Sequence, residues 1–132
     1  MLRQKFSTVD AMAQAKRLIC PSQDLPERGK GVRFSVDTAR GLVPAFVVRY
    51  RGKVQGYLNR CAHVRVELDA LPGEFFDVGG LYLVCGTHGA AYVPETGYCV
   101  GGPCKGQRLT KLAVDEHDGN VYLLNNQETV YV

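Results

Sequence analysis

From Val32 onward, apolar and polar residues alternate in short runs broken by Gly, Asp and Pro, the pattern of consecutive β-strands. Strands are expected at about 32–36, 45–50 and 54–59, with Arg51-Gly52 turning the second into the third. Further runs fall at 81–84, 91–93 and 98–100, the last two joined through Glu95-Thr96-Gly97. A final pair, 112–115 and 121–124, is linked through His117-Asp118-Gly119. Ahead of the strands, residues 7–19 read as a short helix, with Ser7 as N-cap and Met12, Ala15, Leu18 and Ile19 roughly on one face; a disordered leader is the alternative. Pro21 and Pro26 bracket an extended entry and Lys30-Gly31 reads as a turn. The tail 125–132 reads either as an edge strand or as a frayed end. The fold class is all-β, an antiparallel sandwich or barrel with a short N-terminal helix.

Composition narrows the function more than the fold. A chain of 132 residues is expected to form one domain with a modest core. Sixteen basic and 13 acidic residues leave a net charge of +3, and no basic run is interleaved with aromatics, so a nucleic-acid partner is not expected. No apolar run approaches the roughly 20 residues of a membrane helix, and the start lacks the apolar core of a signal peptide. The five cysteines, an odd number, point to a reducing compartment rather than a disulfide scaffold, and a cytoplasmic location is expected.

The candidate chemistry lies on two short stretches, Cys61-Ala62-His63 and Cys85-Gly86-Thr87-His88, each following a strand-like run. Two thiolates and two imidazoles suit zinc, and they suit a 2Fe–2S cluster in which two histidines replace two thiolates on one iron. Zinc fingers usually take like pairs, with the histidines on a helix. Here each loop offers one Cys and one His, and Gly89-Ala90-Ala91-Tyr92 follows instead of a helical repeat.

Cys-x-His, then Cys-x2-His-Gly, then a Gly-Pro loop at Gly102-Pro103 resembles the Rieske family, over roughly residues 22–125. The resemblance implies the Rieske (ISP-like) fold, with a small two-loop cluster-binding part. It divides the chain into an extension or short helix at 1–21, a Rieske domain at 22–126 whose cluster-binding part spans about 60–104, and a tail at 127–132. It also implies that Cys61 and Cys85 hold one iron and His63 and His88 the other. Imidazoles donate less negative charge than thiolates, so the electron should localise on the histidine-bound iron. By the same resemblance Gly89, Gly102, Pro103 and Tyr92 support the cluster, glycines letting backbone come close and proline stiffening it. Tyr92 reads equally as a core aromatic, and the two uses are compatible.

High-potential relatives carry a disulfide between the ligand loops; the matching positions here are Val66 and Thr87, so that bridge is not expected. Ala90 stands where those relatives have a donor serine, while Tyr92 is kept. Together these place the potential in the lower part of a range of roughly −150 to +300 mV. Cys99 and Cys104 read as plain thiols, with a reversible disulfide or a place beside the cluster as alternatives. Among other residues, Phe75 and Phe76 point opposite ways in an extended segment, so one should be core and the other exposed; packing under a loop is favoured over partner docking. Arg65, Arg108 and Lys111 read either as solvated or as a positive rim. His117, between Glu116 and Asp118, is expected to be solvated.

The function implied is single-electron transfer by a Rieske-type ferredoxin, a non-enzymatic component passing electrons from a reductase, such as a flavin reductase, to an oxygenase or another acceptor. Rieske oxygenases continue into a second, mononuclear-iron domain that this chain would lack. Alternatives are a small subunit of a larger oxidoreductase, as in nitrite reductase, and a zinc-stabilised interaction module.

Overall fold

The computed structural model describes residues 16–62, 66–87 and 89–124. In chain order the strands are β1 Lys16–Pro21, β2 Val32–Thr38, β3 Gly41–Tyr50, β4 Lys53–Leu58, β5 Leu83–Val84, β6 Ala91–Tyr92, β7 Cys99–Gly101, β8 Lys111–Leu112, β9 Val114–His117 and β10 Asn120–Leu124, with one 3-10 turn at Ser22–Asp24. They form three sheets, in the orders β1-β10-β9, β2-β3-β4-β8 and β5-β6-β7, and every pairing within them is antiparallel.

The middle sheet is buried on both faces, and β3 shows it residue by residue. Ala45, Phe46, Val47 and Val48 are all fully buried, although successive side chains of a strand point to opposite faces. Val43 and Ala45 pack with Leu58, Leu112 and Leu123, and Val47 with Val121, on the side of the β1-β10-β9 sheet. Phe46 and Val48 join Tyr57, Leu68, Phe75, Leu83 and Tyr92 on the side of the small sheet. Gly56 in β4 allows the first of these packings, since a Cβ there would lie 2.8 Å from a Val114 methyl. The small sheet and its loops therefore stand on a rigid two-sheet base.

The helix expected over 7–19 lies mostly outside the described residues, and its described end is strand. Lys16 to Pro21 pair with Leu124 to Asn120, covering what would otherwise be an open edge of β10. For Leu18 and Ile19, expected on a helix face, tertiary pairing with β10 decides for strand. The run expected at 81–84 shortens to Leu83–Val84, because the Asp77 carboxylate accepts from the amides of Leu81 and Tyr82 and turns them out of the sheet. The run expected at 112–115 splits at Ala113, where the chain passes from the middle sheet to the outer one. The tail 125–132 lies outside the described residues.

Cys99 and Cys104, read as plain thiols with a reversible disulfide as an alternative, are bonded to each other, so the chain is not free of disulfides; this bond is distinct from the inter-loop bridge of high-potential relatives, whose matching positions are Val66 and Thr87. A separation of five residues carried no sign of this. The turn through Gly101-Gly102-Pro103 creates it by folding Cys104 back to within 5.9 Å of Cys99, Cα to Cα.

Candidate metal centre

Both candidate loops are closed at their bases by backbone hydrogen bonds. Cys61 follows β4 by way of Asn59 and Arg60, and its amide donates to the Val66 carbonyl at 2.8 Å. Cys85 follows β5 directly; its amide donates to the Ala90 carbonyl at 2.9 Å, while its carbonyl accepts from Gly89 at 2.8 Å. Gly89 makes that tight return with φ 72°, a conformation glycine adopts without strain. Cys61 and Cys85 are 3 % and 1 % exposed and belong to one buried apolar cluster with Ala90 and Tyr92, so the two loops present sulfur into the same region. His63 and His88 lie outside the described residues, as does Arg65. Among the described residues no three His, Cys, Asp or Glu side chains converge as a metal site.

Tyr92, fully buried in β6, reaches across to the first loop. Its hydroxyl accepts from the Ala62 amide at 2.9 Å and lies 3.2 Å from the Cys61 sulfur. With one lone pair taken by that amide, the phenol proton is left for the sulfur. Burial first, and then the bond to Cys61, push the Tyr92 phenol well above its ordinary range, so it stays protonated and able to donate. The structure places Tyr92 in the core with its hydroxyl beside the Cys61 sulfur.

Gly102, with φ 88°, sits where a Cβ would lie 2.9 Å from the Ala90 Cα and 3.2 Å from the Gly89 oxygen. The Gly-Pro loop is thus laid directly on the second cysteine loop, and Cys99–Cys104 closes it. Pro103 and Gly89 are exposed, so the tip of this region faces solvent. Phe75 is fully buried and stacks on Phe46 at 3.9 Å, while Phe76 is half-buried against Tyr50. That is packing under a loop rather than an exposed docking ring. Arg108 lies over the Tyr98 ring and Lys111 donates to the Glu95 carbonyl, so both side chains are engaged within the chain. His117 is exposed, beside Asp115 and stacked on Tyr122.

Two residues of the site were not picked out by sequence reasoning. Asn59, 2 % exposed, accepts from the Leu68 amide at 2.8 Å and donates to Asp69 at 2.9 Å. The Asp69 carboxylate, buried without exposed surface, also accepts from the Gly73 amide at 2.8 Å and lies 3.3 Å from the Arg33 guanidinium. The only signal in the sequence was a polar residue ending an apolar strand and an aspartate next to a core leucine.

The Rieske [2Fe-2S] domain family model matches residues 15–126. No curated protein sequence matches the chain. Among solved structures, the ferredoxin of carbazole 1,9a-dioxygenase from Nocardioides aromaticivorans IC177 superposes with a TM-score of 0.66 at 21% identity, covering 82% of this chain and 95% of that one. A ferredoxin of Sphingomonas yanoikuyae B1 gives a TM-score of 0.64 at 22% identity, over 83% and 98%. The terminal oxygenase of carbazole 1,9a-dioxygenase from Novosphingobium sp. KA1 gives 0.63 at 21% identity; this chain covers 32% of its length and 88% of its own. At such identities these likenesses establish the fold.

The described residues suit an iron–sulfur group. Two soft sulfur donors are buried in one apolar cluster, a phenol proton is available to one of them, and glycines stand where backbone approaches closely. With most of its length matched by the family model and with this all-β architecture, the chain belongs to the Rieske [2Fe-2S] domain family, whose cofactor is a single 2Fe–2S cluster.

Proposed function

We propose that this chain is a one-electron carrier of the ferredoxin type, in which Cys61 and Cys85 hold one iron and His63 and His88 the other. The observation carrying the reading is the buried Cys61–Cys85 loop pair with the Tyr92 phenol directed at one sulfur. When bound, the cluster supplies a reversible one-electron couple. The chain's own residues do the rest. Apolar neighbours keep water from the sulfurs, Tyr92 offsets negative charge on the Cys61 sulfur, and the Gly-Pro loop covers one side.

The donor and acceptor fit a flavin reductase and an oxygenase, in a cytoplasmic system. Support comes from the complexes between oxygenase and ferredoxin known for carbazole 1,9a-dioxygenase, whose ferredoxins share this fold. Among the described residues no helix is long and apolar enough to cross a membrane. A subunit role in a larger oxidoreductase differs only in the permanence of the partner.

The test is spectroscopic. Anaerobically purified protein should absorb above about 400 nm and, once reduced, show the low average g-value of a histidine-ligated 2Fe–2S cluster. His63→Cys or His88→Ala should abolish that signal. A colourless zinc protein, or an unchanged signal in both variants, refutes the proposal.

A further inference from the structure

Among the described residues, a backbone hydrogen bond joins the two cysteine loops. The amide of Gly86, next to Cys85, donates to the carbonyl of Leu68 at 2.9 Å, and the Ala70 amide shares that carbonyl at 3.1 Å. The contact is close on both sides, since a Cβ on Gly86 would lie 3.0 Å from the Ala70 Cβ. Leu68 and Ala70 flank Asp69 on the return limb of the first loop. That limb lies outside every β-ladder, so something else must fix it.

Side chains fix it. Asn59, anchored through its own amide to the Pro44 carbonyl in β3 at 2.8 Å, holds the Leu68 amide and the Asp69 carboxylate at once. Arg33 reaches from β2 to the Asp69 Oδ2 at 3.3 Å and also pairs with Glu67, and the Gly73 amide donates to that same Oδ2, while Asn59 holds Oδ1. A carboxylate with no exposed surface costs stability unless its partners are in place, so this one is held in a single geometry.

We infer that Asn59, Asp69 and Arg33 form a polar brace that sets the spacing of the two cysteine loops by holding the Leu68 carbonyl against the Gly86 amide. They are positioning residues, carrying the rigidity of β2, β3 and β4 to the loops. The inference rests on Cys61 and Cys85 holding the cluster, and it goes beyond that reading by naming what keeps them apart at the right distance.

The chemistry of the brace offers its own test. Asp69→Asn sets an amide donor against a donor, either Asn59 or Gly73. Asn59→Asp sets a carboxylate against Asp69. The exchanged pair Asn59→Asp with Asp69→Asn restores a donor facing an acceptor at every one of these bonds. In the cluster-loaded protein, each single variant should lose its visible absorbance to an iron chelator about fivefold faster than the parent, and its Gly86 amide should exchange with solvent faster. The exchanged pair should return both readouts to within about twofold of the parent, as a coupled pair requires. Arg33→Gln, at a side chain 39% exposed and therefore tolerant, should move both readouts in the same direction by less, and it decides the matter if Asp69→Asn does not fold. Parent-like release and exchange in the single variants, or failure of the exchanged pair to rescue, overturns the brace. Cys61→Ser and Cys85→Ser test the underlying reading separately. An intact cluster in both would overturn the ligand assignment, whatever the brace variants do.

Discussion

The hydroxyl of Tyr92 accepts from the Ala62 amide and lies 3.2 Å from the Cys61 sulfur, so its proton faces the sulfur that would carry negative charge. A hydrogen bond to such a sulfur favours the reduced, more negative state. Tyr92→Phe keeps the ring in the core and removes only this donor. The expected result is a midpoint potential lower by about 40–60 mV, corresponding to about 1–1.5 kcal/mol for a one-electron couple, read by potentiometric titration. Tyr57 is the internal control. It is as deeply buried, but its hydroxyl donates to the Pro94 carbonyl at 2.7 Å, so Tyr57→Phe should leave the potential in place. Tyr92 was legible in the sequence through the family resemblance, which implies a donor tyrosine at that position, and through its strand-like run, which made it a core aromatic. Asn59 and Asp69 were not, because nothing local says that an asparagine and an aspartate ten residues apart will meet in the core.

Turns and inter-sheet ties decide matters between elements. Arg51 and Gly52 both have positive φ, 53° and 78°, the two-residue turn that matches strand twist between β3 and β4. A Cβ on Gly52 would meet nothing, so Gly52→Ala should cost only the backbone strain, about 1 kcal/mol in chemical denaturation. Gly102→Ala differs because its Cβ would press on Ala90; that variant should hold its cluster less well, read as faster bleaching of the visible absorbance. Arg49 in β3 makes a two-pronged bond to Glu116 in β9, at 2.6 and 2.9 Å, tying the middle sheet to the outer one. That bond with Arg49 holds the Glu116 carboxyl below its usual value of 4.5. Because the folded value is the lower one, the stabilisation is fully present above the unfolded value and is lost as pH falls through the folded one. Unfolding midpoints should therefore drop as pH falls below about 4.5, and Glu116→Gln should flatten that part of the profile.

At the scale of the whole molecule, two closures complete the fold. β1 covers the edge of β10, and Cys99–Cys104 closes the Gly-Pro loop beside the second cysteine loop. Titration of thiols in denaturant without reductant should count three of the five cysteines, Cys20, Cys61 and Cys85; five would show the bond unformed. Closing so short a loop contributes about 2 kcal/mol, so Cys99→Ser with Cys104→Ser should lower Tm by about 5–10 °C. The sequence by itself determined the strand grammar, the turns at Arg51-Gly52 and Asp118-Gly119, and the paired Cys/His motif. Each of these is written in side-chain alternation or spacing within a few neighbouring residues. Only the tertiary structure decided that Lys16 to Pro21 would be strand, that Cys99 and Cys104 would bond, and that Asn59, Asp69 and Arg33 would converge behind the loops. Those outcomes depend on which distant segments the packed sheets bring within a few ångströms, and no local pattern encodes that distance.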